Sequence, residues 1–182
     1  TQRFSPGFMS NRLKTKGKST YQYIAHMLKG IVIAGILMLF SFQSFSQDVI
    51  WYEDFPINGI TSDAGTTAWT TSGGPASGYF IVNNNRIEGN NLDNQVIWTS
   101  ELIDISTYTS VSAFVNIGNS SNMEVGDYLR IYYSIDGGAE TLFTNNGNNT
   151  GNFTATQASV YSLSGNTIQI TIKILNNGFA ET

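Results

Sequence analysis

Beyond Gln47 the chain contains neither cysteine nor histidine; its one histidine is His26. A Ser-His-Asp triad, a Cys-His pair and a zinc site of His or Cys ligands each need at least one of those side chains. Acid–base chemistry is therefore left to carboxylates. Glycoside hydrolysis by paired carboxylates needs two of them about 5–9.5 Å apart. Same-face strand positions two residues apart, separated by about 6.8 Å, would serve. No E-x-D or E-x-E pattern occurs: Glu53 and Asp54 are adjacent, and Glu101 and Asp104 differ by three, so each pair splits across a strand. Independent catalysis is not expected. Nor does a glycine-rich phosphate loop precede a helix, so nucleotide binding is not expected either.

Two resources remain. Calcium takes about six to eight oxygens and tolerates irregular loops. Glu53 and Asp54 open the first expected strand, and Glu124 and Asp127 flank Gly126 in a polar loop. These are the candidate calcium ligands, set against the plainer reading of a solvated acidic surface. Aromatic side chains can stack on sugar rings, and Trp51, Trp69, Trp98, Tyr79, Tyr128, Tyr132 and Tyr161 are available. Trp51 and Trp98 sit in apolar runs and read as core, because rings in strands mostly serve burial. Trp69, in a Thr/Ser/Gly stretch, reads as an exposed platform. Tyr128 and Tyr132 share a strand face with Arg130. Trp69, Tyr128, Arg130 and Tyr132 are thus the candidate ligand-binding residues, unless that face is simply a polar exterior.

The strands that must carry these residues alternate with period two. In Thr167–Leu175, Ile168, Ile170, Ile172 and Ile174 oppose Thr167, Gln169, Thr171 and Lys173. Val111, Ala113, Val115 and Ile117 alternate with Ser112, Phe114 and Asn116; Leu129, Ile131, Tyr133 and Ile135 alternate with Tyr128, Arg130, Tyr132 and Ser134. Further strands are expected at Val49–Phe55, Tyr79–Val82, Arg86–Glu88, Gln95–Thr99, Leu102–Ile105 and Glu140–Phe143. Asn83-Asn84-Asn85 and Asp136-Gly137-Gly138 read as hairpin turns, since Asn and Gly tolerate positive φ. Asn145–Asn152 reads as a mobile surface loop. Helix signals are absent. The fold class expected is all-β, a two-sheet antiparallel β-sandwich: a jelly roll rather than an immunoglobulin-like fold, whose Cys…Trp…Cys core is missing.

Charge divides the chain. Six of the nine Lys and Arg residues fall within residues 1–29, and all thirteen acids lie at Asp48 or later. From Gln47 onward three bases face thirteen acids, a net charge of −10. Such a body repels nucleic acid, whose binding rests on Lys and Arg neutralising phosphates. Met27-Leu28-Lys29-Gly30, the apolar run Ile31–Phe40 and the small residues Ser44 and Ser46 form the pattern of a secretory signal peptide. The run is ten residues, short of the ~20 that a membrane span needs, so no stable span is expected after cleavage; an uncleaved anchor is the alternative. Residues 1–26 are an upstream segment, 27–46 the signal peptide and 47–182 the sandwich domain. With no cysteine, its core alone must hold it.

Trp51-Tyr52-Glu53-Asp54-Phe55, Val96–Ser106, Asp127–Gly138 and Leu163–Thr167 together resemble the jelly-roll domains of large secreted modular proteins of flavobacterium-like bacteria. The E-D-F entrance and the S-I-D-G-G hairpin are similar to MAM-like and concanavalin-like sandwiches. The resemblance implies a structural ion near Glu53 and Asp54, and a further strand after the Ile-rich one, so a domain truncated at its C-terminus. The function expected is a secreted or cell-surface, non-catalytic binding or adhesion module whose partner is a glycan or another surface protein. The alternative is an accessory domain of a larger secreted hydrolase or peptidase.

Overall fold

The structure, a computed structural model, describes residues 48–119 and 123–177. The expected signal peptide and the upstream segment lie outside the described residues. Those described are all-β: β1 (Trp69–Ser72), β2 (Tyr79–Val82), β3 (Ile87–Asn90), β4 (Val96–Ser100), β5 (Ile103–Asp104), β6 (Val111–Ile117), β7 (Tyr128–Ile135), β8 (Thr141–Leu142), β9 (Asn148–Thr150), β10 (Thr156–Leu163) and β11 (Thr167–Leu175). Among the described residues no helix is long and apolar enough to cross a membrane.

The large sheet runs β1-β4-β11-β7-β8, with β5 also paired to β11 and β9 to β7; β10-β6 and β2-β3 form separate ladders. Every pairing is antiparallel. The three ladders share one apolar core, as a sandwich-like fold requires. Phe80 and Val82 of β2, Ala158 and Val160 of β10, Trp98 of β4, Ile131 of β7 and Ile168, Ile170 and Ile172 of β11 are all buried in it. Ile174, Leu129, Val111 and Val115 pack against it half-buried. Period two thus marks the core in these strands, because alternate side chains leave opposite faces of the pleat.

The turns follow their chemistry. Asn84 and Asn85 have φ of 49° and 58°, and Asp136 and Gly137 have 52° and 69°, the doubly left-handed pattern of a two-residue hairpin turn. In the second turn, Asp136 also ties two hairpins together. Its Oδ1 accepts the backbone N–H groups of Asn166 and Thr167, each at 2.8 Å. Those bonds, Thr167 first, hold the carboxyl below its ordinary range.

Two expectations need correction, and two strands had no expectation. No strand forms at Val49–Phe55: Phe55 turns to a φ of 51°, and Glu53 Oε1 accepts the Phe55 N–H, a local bond that ends the extended run. Asn145–Asn152 contains β9, whose Asn148, Asn149 and Thr150 pair with Arg130, Leu129 and Tyr128. Asn145 also bridges to Ser159. The asparagines supply ladder bonds and φ of 52° at Asn146, so a stretch that reads as a loop builds a sheet edge. Finally, β1 and β10 are strands that periodicity did not mark.

Candidate functional site

Four of the expected site residues belong to the sheet, but not to one surface. Trp69 is 1% exposed and meets Phe55 and Trp98 at ring centroid distances of 5.6 and 6.2 Å. The platform reading of Trp69 is therefore wrong. It fails because β1 pairs with β4 and turns Trp69 to the core beside Ser100, whatever the polarity of its sequence neighbours. Trp51 also joins this aromatic cluster, 6.4 Å from Trp98, and its indole donates to Glu101 Oε1 at 2.9 Å. Trp98 is buried as expected.

Tyr128, Arg130 and Tyr132 are brought together. Their β7 neighbours Leu129, Ile131 and Tyr133 point into the core, so these three occupy the other face of the large sheet. Register adds β11 alongside: Lys173 lies directly across from Arg130, and Thr171 across from Tyr132. On the other flank Asn148 pairs with Arg130, and Leu142 with Tyr132.

Both cations lie on rings. Arg130 Cζ is 4.2 Å from the centroid of Tyr128, and Lys173 Nζ is 4.8 Å from that of Tyr132. Each stack is worth about 0.5–1 kcal/mol at an exposed site. Arg130 Nε donates to Asn148 Oδ1 at 3.1 Å, Gln95 Nε2 to Tyr128 Oη at 2.5 Å, and Lys173 Nζ to Glu140 Oε2 at 2.5 Å. The result is a row of half-buried aromatic and cationic groups flanked by exposed amides on one sheet face. Such a row binds by stacking and hydrogen bonding.

No family model, curated protein or solved structure matches the chain. Its chemistry must be read from its own geometry.

The candidate calcium ligands do not converge. Glu53 Oε1 accepts from Phe55 N at 2.6 Å and Oε2 from Thr67 Oγ1 at 2.7 Å. Asp54 is exposed. Asp127 is fully buried, with Oδ2 accepting from Glu124 N at 2.7 Å and Oδ1 from Asn177 N at 3.2 Å. The Glu124 side chain faces solvent. Among the described residues no three Asp, Glu, His or Cys side chains gather as a metal site. Glu53 and Asp127 accept hydrogen bonds from their own chain and so organise the loops around them.

Sequence reasoning missed two features. Glu53 and Glu101 both reach the turn before β1: Thr67 donates to the first, and the Ala68 N–H to Glu101 Oε1 at 3.1 Å. Only the tertiary fold brings these carboxylates to adjacent residues. The second is an exposed aromatic pair, Phe114 and Tyr161, edge to face at 5.6 Å on the β6–β10 ladder. The β6–β10 register shifts between Val160 and Leu163, where Ser162 takes a φ of 59°. Such a bulge re-aims side chains. A groove lined by Thr61, Thr71, Ser72, Gly73, Gly74 and Pro75 carries no titratable side chain among those residues and offers no chemistry.

Proposed function

We propose that the chain is an exported, non-catalytic binding module, wound as a jelly roll, that takes a saccharide on the outer face of its large sheet. One observation carries the reading: Tyr128, Arg130 and Tyr132 share that face with Lys173, Gln95 and Asn148. The core is packed by the opposite face, so these side chains are free of that duty. Aromatic rings flanked by amides and cations suit pyranoses, whose apolar faces stack while their hydroxyls take hydrogen bonds. The expected signal peptide, together with a body free of cysteine and histidine, supports a surface or secreted role without independent catalysis. Adhesion would follow from the same contact if the glycan belongs to another cell.

A glycan array probed with the full chain tests the reading. One stacking ring contributes about 1 kcal/mol beyond burial, so Tyr132→Ala should weaken binding roughly five- to tenfold. Absence of binding to every glycan, or binding indifferent to Tyr132→Ala and Tyr128→Ala alike, would refute it. Mass spectrometry of the exported protein should find a mature N-terminus near Ser46–Gln47; an N-terminus upstream of Met27 would overturn the export reading.

A further inference from the structure

Three bases lie among the described residues: Arg86, Arg130 and Lys173. Two of them have carboxylate partners, since Arg86 pairs with Glu88 and Lys173 with Glu140. Arg130 has none among the described residues, although these carry twelve acids. It stands instead directly across from Lys173. Like charges at opposed cross-strand positions destabilise a sheet, and among the described residues no other two bases are cross-strand partners. Two other contacts fix the guanidinium without neutralising it. It stacks on Tyr128 at 4.2 Å, and its Nε donates to Asn148 Oδ1 at 3.1 Å. Nη1 and Nη2 make no hydrogen bond to another described residue. A planar fork is thereby oriented, with its two terminal nitrogens unspent.

We propose that the saccharide is acidic: a uronic acid unit whose carboxylate is received by Nη1 and Nη2 of Arg130, next to Lys173. The inference rests on the saccharide reading above and names its class. Carboxylate suits the site because its two coplanar oxygens match the guanidinium fork in a bidentate pair. A neutral sugar could offer the fork only hydroxyl acceptors, with no charge to neutralise the guanidinium. A densely charged polyanion would instead be opposed by the net negative body. Glu140 competes for Lys173 and so tempers the cationic pair; removing its charge should strengthen the site.

Titration calorimetry on the full chain tests this with two probes: an acidic tetramer, three 1,4-linked galactose units ending in one galacturonic acid unit, and the corresponding neutral galactose tetramer. The acidic tetramer should bind about tenfold tighter or more, the range of one charge-assisted bidentate contact. Arg130→Ala should bring the two tetramers to parity. Arg130→Lys should lose most of the preference, because an ammonium is a point charge without a fork. Glu140→Gln should tighten the acidic tetramer a few-fold and leave the neutral one unchanged, a gain that misfolding could not produce. Equal affinity for the two tetramers, or a preference that survives Arg130→Ala, would overturn the acidic class while leaving saccharide binding intact. No binding of either tetramer, together with a blank glycan array, would overturn both.

Discussion

Ile131 and Tyr132 are neighbours on β7 that face opposite ways, and substituting each by alanine should separate stability from binding. Ile131 is fully buried in the shared core, between strands on both sides of β7. Truncation removes three carbons, at about 0.8 kcal/mol each for transfer alone. The space left behind adds a cavity penalty, because β-sheet walls on both sides limit collapse, bringing the total to about 3–4 kcal/mol. Tyr132 loses its contact with Lys173, about 0.5–1 kcal/mol at a partly exposed site, and leaves no internal void. Urea unfolding followed by tryptophan fluorescence reads both. The rings of Trp51, Trp69 and Trp98 form one cluster with Phe55 in the same core and should report its loss. With an unchanged m-value, the Ile131→Ala midpoint should fall several times further than that of Tyr132→Ala. Equal losses, or a larger loss for Tyr132→Ala, would refute the assignment of faces on which the candidate site depends.

The Asp136 carboxyl is held below its ordinary range by the Thr167 and Asn166 amides, so its bonds stabilise the folded state at and above the unfolded carboxylate range. That contribution is lost as pH falls through the still lower folded value. Asp136→Asn should therefore lower the urea midpoint at pH 7 and cease to differ from the parent protein at strongly acid pH; a pH-independent difference would count against it. Gly78 has a φ of 63°, and a Cβ placed there would collide with the backbone oxygens of Asn90 and Asn91. Gly78→Ala should lower thermal stability by more than about 1 kcal/mol, and an unchanged melting temperature would show that the β2–β3 ladder does not close as described. Asp127→Ala strips two backbone N–H groups of a buried carboxylate acceptor. It should cost about 2–4 kcal/mol, and the same amount with and without added calcium; a cost that grows with calcium, because the parent alone is stabilised, would mean that the carboxylate ligates an ion.

Much of the fold was legible because it is local. The period-two runs at Val111–Ile117, Tyr128–Ile135 and Thr167–Leu175 specify strands and their buried faces, since the pleat alone sets the alternation. Turns at Asn84-Asn85 and Asp136-Gly137 were readable because few residue types accept positive φ. The joint placement of Tyr128, Arg130 and Tyr132 on one face also followed from sequence, being nothing more than parity along a single strand.

What parity along one strand cannot say is which strand lies beside it. Thr156–Leu163 and Trp69–Ser72 lack a clear alternation and become strands only because β6 and β4 offer them edges. Asn145–Asn152 has loop composition, yet β7 recruits it into a ladder. Val49–Phe55 has strand composition, yet Glu53 turns back on Phe55 and the segment pairs with nothing in register. Trp69 reads as exposed from its polar neighbours, but burial belongs to the face that β4 turns inward and not to local polarity. The partners of the charged residues were equally hidden. The meeting of Lys173 with Arg130 and Glu140, like that of Glu53 and Glu101 around Thr67–Ala68, depends on contacts between residues far apart in the chain. Sequence by itself settled which side chains point the same way along a strand. Only the tertiary structure decided which of them meet, because register between distant strands is chosen by the packing of the whole core.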